Sequence, residues 1–382
     1  MVQAQDQDVI IGKKHSLRSK ILNEERSYWV YLPLSHKDSA YEPQRYPVLY
    51  LLDGNAHFHY ASGVVQFLST SINMNIQIPE LIIVAIPNTN RTRDLTPTHS
   101  RIGVDGKETA SLESSGGGNA FLKFLRDELS PQIDTAYRTL SHHIIAGHSA
   151  GGTLALHALL DAPEMFQSYI AIDPNVSWDN QVLVHRVKRQ AKEAQERRGA
   201  VYISMANNPD IGTYDPIMIK EAVRKFAEFL EPAACPEFRS TLQYFETDDH
   251  ASVPLPSLYH GLLYIFEGYK PSFPDLIREP STLSSHFAHI SERLGMNLLP
   301  PATYVNQAGY HLLYQIKDAN RAIELFKINV SNFPNWYHAH DSLGEAYMVK
   351  GETSTAIAYY ERSLELNPAN QNAKKQLQAV RT

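Results

Sequence analysis

The sequence predicts an α/β fold with a doubly wound, mostly parallel sheet, followed by a small all-helical domain. From about residue 46, short apolar runs that stop abruptly alternate with segments whose apolar residues recur at helical spacing. After about residue 302 the helical spacing continues without any strand pattern. We therefore expect strands to alternate with helices first, and helices to pack on helices afterwards.

Length and composition set the outer limits. A chain of 382 residues exceeds what one hydrophobic core normally serves, so we expect an α/β domain at 1–275, a linker at 276–302 and a helical domain at 303–382. The net charge of -6 argues against a nucleic-acid partner. One cysteine, Cys235, excludes an intramolecular disulfide and a cysteine-based zinc site.

The apolar runs are too short for a membrane protein, because none reaches the roughly 18 residues that a spanning helix needs. The polar N-terminus, residues 1–7, lacks the charged and apolar regions of a signal peptide. Cytoplasm and periplasm both remain open as locations.

The strands are predicted from residue alternation and from continuous apolar runs. Residues 26–33 alternate apolar with polar, which is typical of an early strand in a mixed sheet. Residues 46–52 form an apolar run typical of a strand buried on both faces. Similar runs predict strands at 81–87, 169–174, 201–206 and 241–245.

The central motif is Gly147-His148-Ser149-Ala150-Gly151. An apolar run precedes it, and residues 153–160 after it have an apolar helical face. Strand, sharp turn and helix in this order form a nucleophile elbow, in which glycines on either side of the serine allow close packing. The motif predicts Ser149 as a nucleophile.

Such a nucleophile needs an oxyanion hole. In a hydrolase of this architecture, the loop after an early buried strand supplies one backbone N–H, and the residue after the nucleophile supplies the other. The strand at 46–52 ends in Asp53-Gly54-Asn55. We expect the amides of Asn55 and Ala150 to be the donors.

The order in this fold is serine, acid, histidine, each at the carboxyl end of a strand. His250 follows the last predicted strand, and Asp210 follows the one before it. We expect both to complete the site, with a Ser-His dyad as the open alternative. The rival acids are Asp215, Glu246, Asp248 and Asp249.

Substrate contacts are expected from two other segments. Residues 88–110 lack a helical or strand period and are too long for a plain connector, so they are expected to border the site. Arg91 or Arg93 could meet an acidic substrate group, with a structural salt bridge as the alternative. Trp178 could line the pocket or pack beneath the following helix. The histidines show no metal-site spacing, and no cofactor is expected.

The C-terminal segment shows a repeat of about 34 residues. Residues 337–370 carry a tetratricopeptide-like pattern: Leu343-Gly344, Tyr347, Ala356, Tyr360 and Pro368. One repeat earlier, Tyr310, Leu313, Ala322, Phe326 and Pro334 match, with Gly309-Tyr310 in place of the Leu-Gly pair. We expect two repeats, the first degenerate, and a final helix from about Asn372. They could bind a protein partner, or stabilise or dimerise the chain.

The segment from about Arg26 to Tyr269 resembles the putative esterase family of α/β-hydrolases, which includes esterase D and the enterochelin and salmochelin esterases. Four stretches carry the resemblance: 50–54, 121–129, 146–152 and His250 with its flank. It implies catalytic roles for Ser149 and His250 and backbone donors at Asn55 and Ala150. It also implies a small-molecule ester substrate.

Three functions fit these patterns. We expect a serine carboxylic-ester hydrolase that works through an acyl-enzyme. An acyltransferase on the same site would differ only in the acceptor. A non-catalytic hydrolase-fold module, with the repeats recruiting a partner, would leave the serine unused.

Overall fold

The computed structural model describes residues 8–37, 43–70, 75–190, 198–209, 216–231 and 237–381. Asp210, Asp215 and Cys235 lie outside these ranges. The chain divides into two compact units. We call them the sheet unit, which comprises Met1–Pro33, Arg45–Phe67 and Glu80–Ile265, and the helical unit, which comprises Leu34–Gln44, Leu68–Pro79 and Phe266–Thr382.

The sheet unit is built on one eight-stranded sheet. The strands are β1 Lys13–Ser19, β2 Glu24–Tyr31, β3 Tyr46–Leu52, β4 Ile82–Ile86, β5 Thr139–His148, β6 Ser168–Ile172, β7 Gly199–Ala206 and β8 Phe238–Phe245. Their order is β1-β2-β4-β3-β5-β6-β7-β8. β1 and β2 are antiparallel to their neighbours, and all the other strand pairs are parallel. This confirms the predicted doubly wound, mostly parallel sheet.

The apolar runs explain why the centre of the sheet forms. Every residue of β3, β4, β6 and β7 is buried, as expected for parallel strands covered on both faces. The register pairs Leu52 with Ile86 and His148 with Ile172. These last residues of four strands therefore lie along one edge, where loops of parallel sheets form binding sites.

The first helices are α1 Leu34–Lys37, α2 Gly54–Ser69, α3 Arg91–Leu95, α4 Gly118–Phe124, α5 Ser130–Ala136, α6 Ala150–Asp161, α7 Trp178–Gln190, α8 Pro216–Leu230 and α9 Pro254–Ile265. A π-helical turn, Leu125–Leu129, joins α4 to α5. The helical segment that begins at α4 therefore continues through Pro131, because proline is tolerated in the first turn of α5. α7 opens with three residues in left-handed conformation, Asp179, Asn180 and Gln181.

The helical unit contains α10 Phe273–Arg278, α11 Thr282–Leu294, α12 Ala302–Tyr310, α13 Ala319–Asn332, α14 Tyr337–Lys350, α15 Thr353–Leu366 and α16 Gln371–Arg381. α11 lies inside the segment expected as a linker. Its buried Leu283, Phe287, Ile290 and Leu294 form one helical face. The domain bounds themselves stay a prediction.

The same type of contact, a glycine against an aromatic ring, occurs in two helix pairs of this unit. A Cβ added to Gly344 of α14 would lie 3.2 Å from the Tyr360 ring of α15. A Cβ added to Gly309 of α12 would lie 2.4 Å from the Phe326 ring of α13. Gly309 therefore takes the place of Gly344 in the earlier pair, and in both pairs the missing side chain lets the aromatic ring approach.

The earlier pair has one extra residue between its packing glycine and the alanine of the next helix. Thirteen positions separate Gly309 from Ala322, against twelve from Gly344 to Ala356. A π-helical turn, His311–Ile316, lies in that interval. Because a π turn accommodates an inserted residue, it absorbs the extra position. The helices are consistent with the predicted repeats, and the tetratricopeptide assignment stays a prediction.

Candidate active site

The serine lies on a strained turn between a strand and a helix. β5 ends at His148, α6 begins at Ala150, and Ser149 between them has φ 58° and ψ -119°. A residue with a side chain seldom adopts positive φ. A Cβ on Gly147 would lie 2.4 Å from the carbonyl carbon of Gly151, so glycine is required there. The turn has the geometry of a nucleophile elbow.

Asp173 partners the histidine that the sequence singles out. His250 follows β8, and its Nδ1 lies 2.6 Å from Oδ2 of Asp173. The His250 side chain is 48% exposed and that of Asp173 only 4%. Asp173 follows β6, whose last residue, Ile172, accepts a hydrogen bond from the Ser149 amide at 2.9 Å. Histidine, acid and serine thus belong to one edge of the sheet.

Asp173 is held as an ionised acceptor. Its Oδ1 accepts from the Ala206 amide at 2.9 Å, and its Oδ2 also accepts from the Asn208 side chain at 2.8 Å. Burial alone would raise the pKa of Asp173, but the hydrogen bonds from His250, Ala206 and Asn208 bring it below its ordinary value. An ionised carboxylate only accepts, so the Nδ1–H of His250 donates and Nε2 is left as the basic atom.

The expected acid, Asp210, lies outside the described residues, and Asp173 is the carboxylate on His250. Because the acid was sought after the predicted strand 201–206, Asp173 was counted as part of the predicted strand 169–174 and was missed. Its position directly after a buried strand beside β5 was the available signal. Two of the other candidate acids, Asp248 and Asp249, accept hydrogen bonds within the local turn instead. Asp248 accepts from the Ser252 hydroxyl at 2.8 Å, and Asp249 accepts from the Ala251 and Ser252 amides at 2.9 Å.

Both expected oxyanion donors lie in the first turn of a helix. Asn55 lies in the first turn of α2, and Ala150 is the first residue of α6. The first four amides of a helix have no partner within it, and the helix dipole makes this end favourable for negative charge. Both amides therefore suit an oxyanion.

Arg91 contacts a residue just before each of these helix starts, the side chain of Asp53 and the backbone of His148. Its Nε lies 2.7 Å from Oδ1 of Asp53, and its Nη2 lies 3.0 Å from Oδ2. The same Nη2 donates to the carbonyl of His148 at 3.2 Å. The Arg91 side chain is 41% exposed, and Nη1 has no hydrogen bond within the described part of the chain.

The residues 19–252 match the family model for putative esterases. That span is more than half of the chain and contains the elbow, both expected oxyanion donors and His250. The chain belongs to the putative esterase family.

Two relatives agree with this membership. The chain is 27% identical over 244 residues to the ferri-bacillibactin esterase BesA of Bacillus subtilis, which covers 62% of this chain and 83% of the relative. It is 26% identical over 264 residues to the siderophore triacetylfusarinine C esterase of Aspergillus fumigatus. That alignment covers 62% of this chain and 87% of the relative.

A solved structure agrees over a longer span. The IroE-like serine hydrolase from Shewanella oneidensis matches with a TM-score of 0.72 and 29% identity, over 84% of this chain and 99% of its own. The protein is therefore a serine ester hydrolase.

Two expected substrate contacts of this esterase are engaged elsewhere. Arg93 donates to Asp94 at 2.7 Å and to both carboxylate oxygens of Glu24, at 3.0 and 2.6 Å. All its nitrogens are used, which corresponds to the salt-bridge alternative. Trp178 is 9% exposed, and its indole N–H donates to the Thr98 carbonyl at 3.1 Å. That contact joins the 88–110 segment to the start of α7.

A second histidine lies against the first in this esterase. The rings of His148 and His250 have centroids 4.3 Å apart, and His57 lies 5.9 Å from His148. Burial, His250 and His57 lower the pKa of His148 to about 4. His148 is therefore neutral at pH 7, which avoids a second positive charge beside His250.

None of the helices within the described ranges is both long and apolar enough to cross a membrane. In the same ranges, no group of three or more His, Cys, Asp or Glu side chains could hold a metal ion.

Proposed function

We propose that Ser149, His250 and Asp173 are the catalytic triad of this esterase, and that the amides of Asn55 and Ala150 form its oxyanion hole. The observation that carries the proposal is the 2.6 Å contact between His250 and Asp173 at the sheet edge that presents the Ser149 elbow. Asp173 replaces Asp210 in this assignment. The filled Nδ1 position also favours a triad over a dyad.

The reaction then follows the triad scheme. His250 Nε2 takes the proton of Ser149 as its oxygen attacks the ester carbonyl, and Asp173 stabilises the imidazolium. The amides of Asn55 and Ala150 hold the oxyanion. His250 returns the proton to the leaving alkoxide, which departs as an alcohol. Water repeats the attack on the acyl-enzyme, releases the acid and restores Ser149.

Covalent labelling tests the nucleophile. A fluorophosphonate should add one adduct to the intact mass of the wild type and none to Ser149→Ala. Wild-type protein without an adduct, or an equal adduct on the variant, would contradict the assignment.

The substrate class that we propose is the ester of a siderophore. Support comes from the two relatives whose names specify siderophore substrates, at 27% and 26% identity. Nη1 of Arg91 is the donor that we propose for an anionic group of such a ligand, because guanidinium N–H groups pair well with anionic oxygens. Arg93 and Trp178 are not part of this proposal, since both have structural contacts.

An ester panel tests the substrate class. It should include p-nitrophenyl acyl esters, S-formylglutathione, a feruloyl ester and the ferric and iron-free forms of a triester siderophore. We expect the highest kcat/KM with a siderophore. A higher kcat/KM with S-formylglutathione or the feruloyl ester would reject the class and keep the triad.

The relatives do not favour the two alternatives, an acyltransferase and a non-catalytic module. Product analysis with competing alcohols separates hydrolysis from transfer: the free acid should dominate. A role of the helical unit in association is a proposal supported by exposed apolar side chains, Ile316 at 46% and Val349 at 53%. Sedimentation of the full chain tests it, and a monomer at all concentrations would reject self-association.

A further inference from the structure

The two oxyanion donors lie on different loops that must keep one spacing. β3 and β5 pair as parallel neighbours as far as Leu51 and Ala146. Asn55 and Ala150 each lie four residues beyond this last pair. Sheet pairing fixes where the loops start, but the amides need a further constraint to stay within reach of one oxyanion.

Arg91 supplies a bond to each loop. It binds the side chain of Asp53, two residues before Asn55, and the carbonyl of His148, two residues before Ala150. One planar guanidinium with fixed donor directions therefore spans the approaches to both donors.

Asp53 is the other half of this link. Its side chain is 6% exposed, its φ is 52°, and it accepts from Asn88 at 2.6 Å as well as from Arg91. Its carbonyl accepts from the amides of Ala56 and His57 at the start of α2. A Cβ added to Gly151 would lie 3.1 Å from its Oδ2, so the carboxylate also lies against the start of α6.

The ion pair has a defined geometry, because two nitrogens of one guanidinium bind the two oxygens of one carboxylate. Burial alone would raise the pKa of Asp53, but the hydrogen bonds and charge of Arg91, together with Asn88, lower it below its ordinary value. Asp53 is therefore ionised at neutral pH and bidentate with the arginine, which is the most directional of the common ion pairs.

The helix that carries Arg91 is itself anchored. Arg93 and Asp94 of α3 form ion pairs with Glu24 and Arg26 of β2, and Arg26 is 1% exposed. Arg26 also lies over the ring of Phe121, 5.1 Å from its centroid. These ion pairs hold α3 against the sheet two residues after Arg91. The backbone that carries the Arg91 side chain is therefore fixed in position.

We propose that Asp53 and Arg91, the Asp53–Arg91 pair, are positioning residues that set the distance between the two oxyanion amides. This inference rests on the proposed function, because it concerns that oxyanion hole. The pair acts through Asn55 and Ala150, so its loss should weaken binding of the transition state more than binding of the substrate.

The test uses a neutral ester, p-nitrophenyl acetate, so that Arg91 cannot act by binding a substrate anion. The variants are Arg91→Ala, Arg91→Lys and Asp53→Asn in the full chain. Arg101→Ala is the matched control, because Arg101 is a 45% exposed arginine of the same segment whose ion-pair partners among the described residues are Glu108 and Glu113. Affinities are measured for a boronic acid, which forms a tetrahedral adduct with serine, and for acetamide, a neutral ground-state ligand.

For Arg91→Ala we expect kcat to fall by about 10²-fold with KM changed less than about threefold, since a misplacement near 1 Å costs this much. Boronate affinity should fall in parallel, and acetamide affinity should not. Arg91→Lys should recover little, because an ammonium cannot make the bidentate contact. Free guanidinium should partly restore Arg91→Ala. Arg101→Ala should behave as wild type.

Outcomes separate the inference from the proposed function. Unchanged boronate affinity in Arg91→Ala and Asp53→Asn, with a lower Tm alone, would overturn the positioning role and leave the triad intact. A rise in KM with unchanged kcat would also overturn it, in favour of a substrate contact. A wild type that neither hydrolyses esters nor binds the boronate would overturn both.

Discussion

The sheet unit and the helical unit use left-handed backbone for different purposes. Among the described residues, seven of the eight non-glycine residues with positive φ lie in the sheet unit. Three of them, Asp53, Ser149 and Asp173, directly follow the last residue of β3, β5 and β6. In the helical unit, Gly295, Lys317 and Gly351 are left-handed where helices end.

The difference separates strain that serves a site from conformations that end a helix. A left-handed residue with a Cβ costs about 1–2 kcal/mol, so the sheet unit gives up stability at three residues of one edge. Helix ends routinely adopt positive φ, and glycine removes most of the cost. Substitutions at the sheet edge should therefore change both activity and stability, and substitutions at helix ends should change stability alone.

The largest effect is expected at the elbow. Ser149→Gly removes the nucleophile and should lower kcat/KM on the order of 10⁶-fold. It should also raise the free energy of unfolding by about 1 kcal/mol, because glycine accepts positive φ without a steric cost. Ester turnover and urea denaturation of the same sample measure both. A less stable variant would show that the turn is not strained.

At a helix end the same kind of change should act on stability alone. Gly351 has φ 87° with nothing within 4 Å of an added Cβ, so Gly351→Ala should cost about 1 kcal/mol and leave kcat unchanged. The matched control is Gly63→Ala inside α2, where φ is ordinary and the space is equally open. That variant should be more stable by about 0.5–1 kcal/mol. Urea denaturation should show opposite signs, and equal signs would refute the backbone explanation.

Lys317 offers the reverse change. Its φ is 62°, so Lys317→Gly should relieve the side-chain cost and stabilise the chain by up to about 1 kcal/mol. Activity should not change. Destabilisation by the glycine would mean that the flexibility gained in the unfolded chain outweighs the relief.

Carboxyl groups of the two units should respond oppositely to acid. The pKa of Asp53 is lowered, because Arg91 and Asn88 outweigh burial, so its stabilisation is lost as pH falls below 3.8. The pKa of Asp341 is raised by burial despite hydrogen bonds from Asn372 and Asn370, so its burial cost is relieved as pH falls toward 3.8.

The free energy of unfolding of wild type, Asp53→Asn and Asp341→Asn between pH 3 and 6 measures this difference. The advantage of wild type over Asp53→Asn should shrink below pH 3.8. The free energy of unfolding of wild type should rise relative to that of Asp341→Asn as pH falls toward 3.8. Parallel curves for all three proteins would contradict the assigned directions.

Local pattern was enough to predict the sheet, the elbow turn and the loop of Asn55, because each depends on neighbouring residues. Ser149 lies between an apolar run and an apolar helical face, and this arrangement needs no long-range information. His250 was placed by its position after the last strand. The roles of these residues remain proposals until they are tested.

Long-range partners could not be predicted in the same way. Asp173 meets a histidine 77 positions away, and Arg93 meets Glu24 at a separation of 69. Only the folded sheet brings such pairs together. The helix α11 was missed for another reason: its buried positions have helical spacing, but the polar residues between them suggested a linker.

The measurement that tests the central claim most directly is kcat/KM of Asp173→Asn, with Asp248→Asn as the matched control. Asparagine would present an N–H group to His250 Nδ1 and favour the wrong tautomer, so we expect a loss of about 10⁴-fold at pH 7. Asp248→Asn, which removes a partly buried acid of the same turn that does not contact His250, should stay within a few-fold of wild type. Equal activity of Asp173→Asn and wild type would contradict the triad.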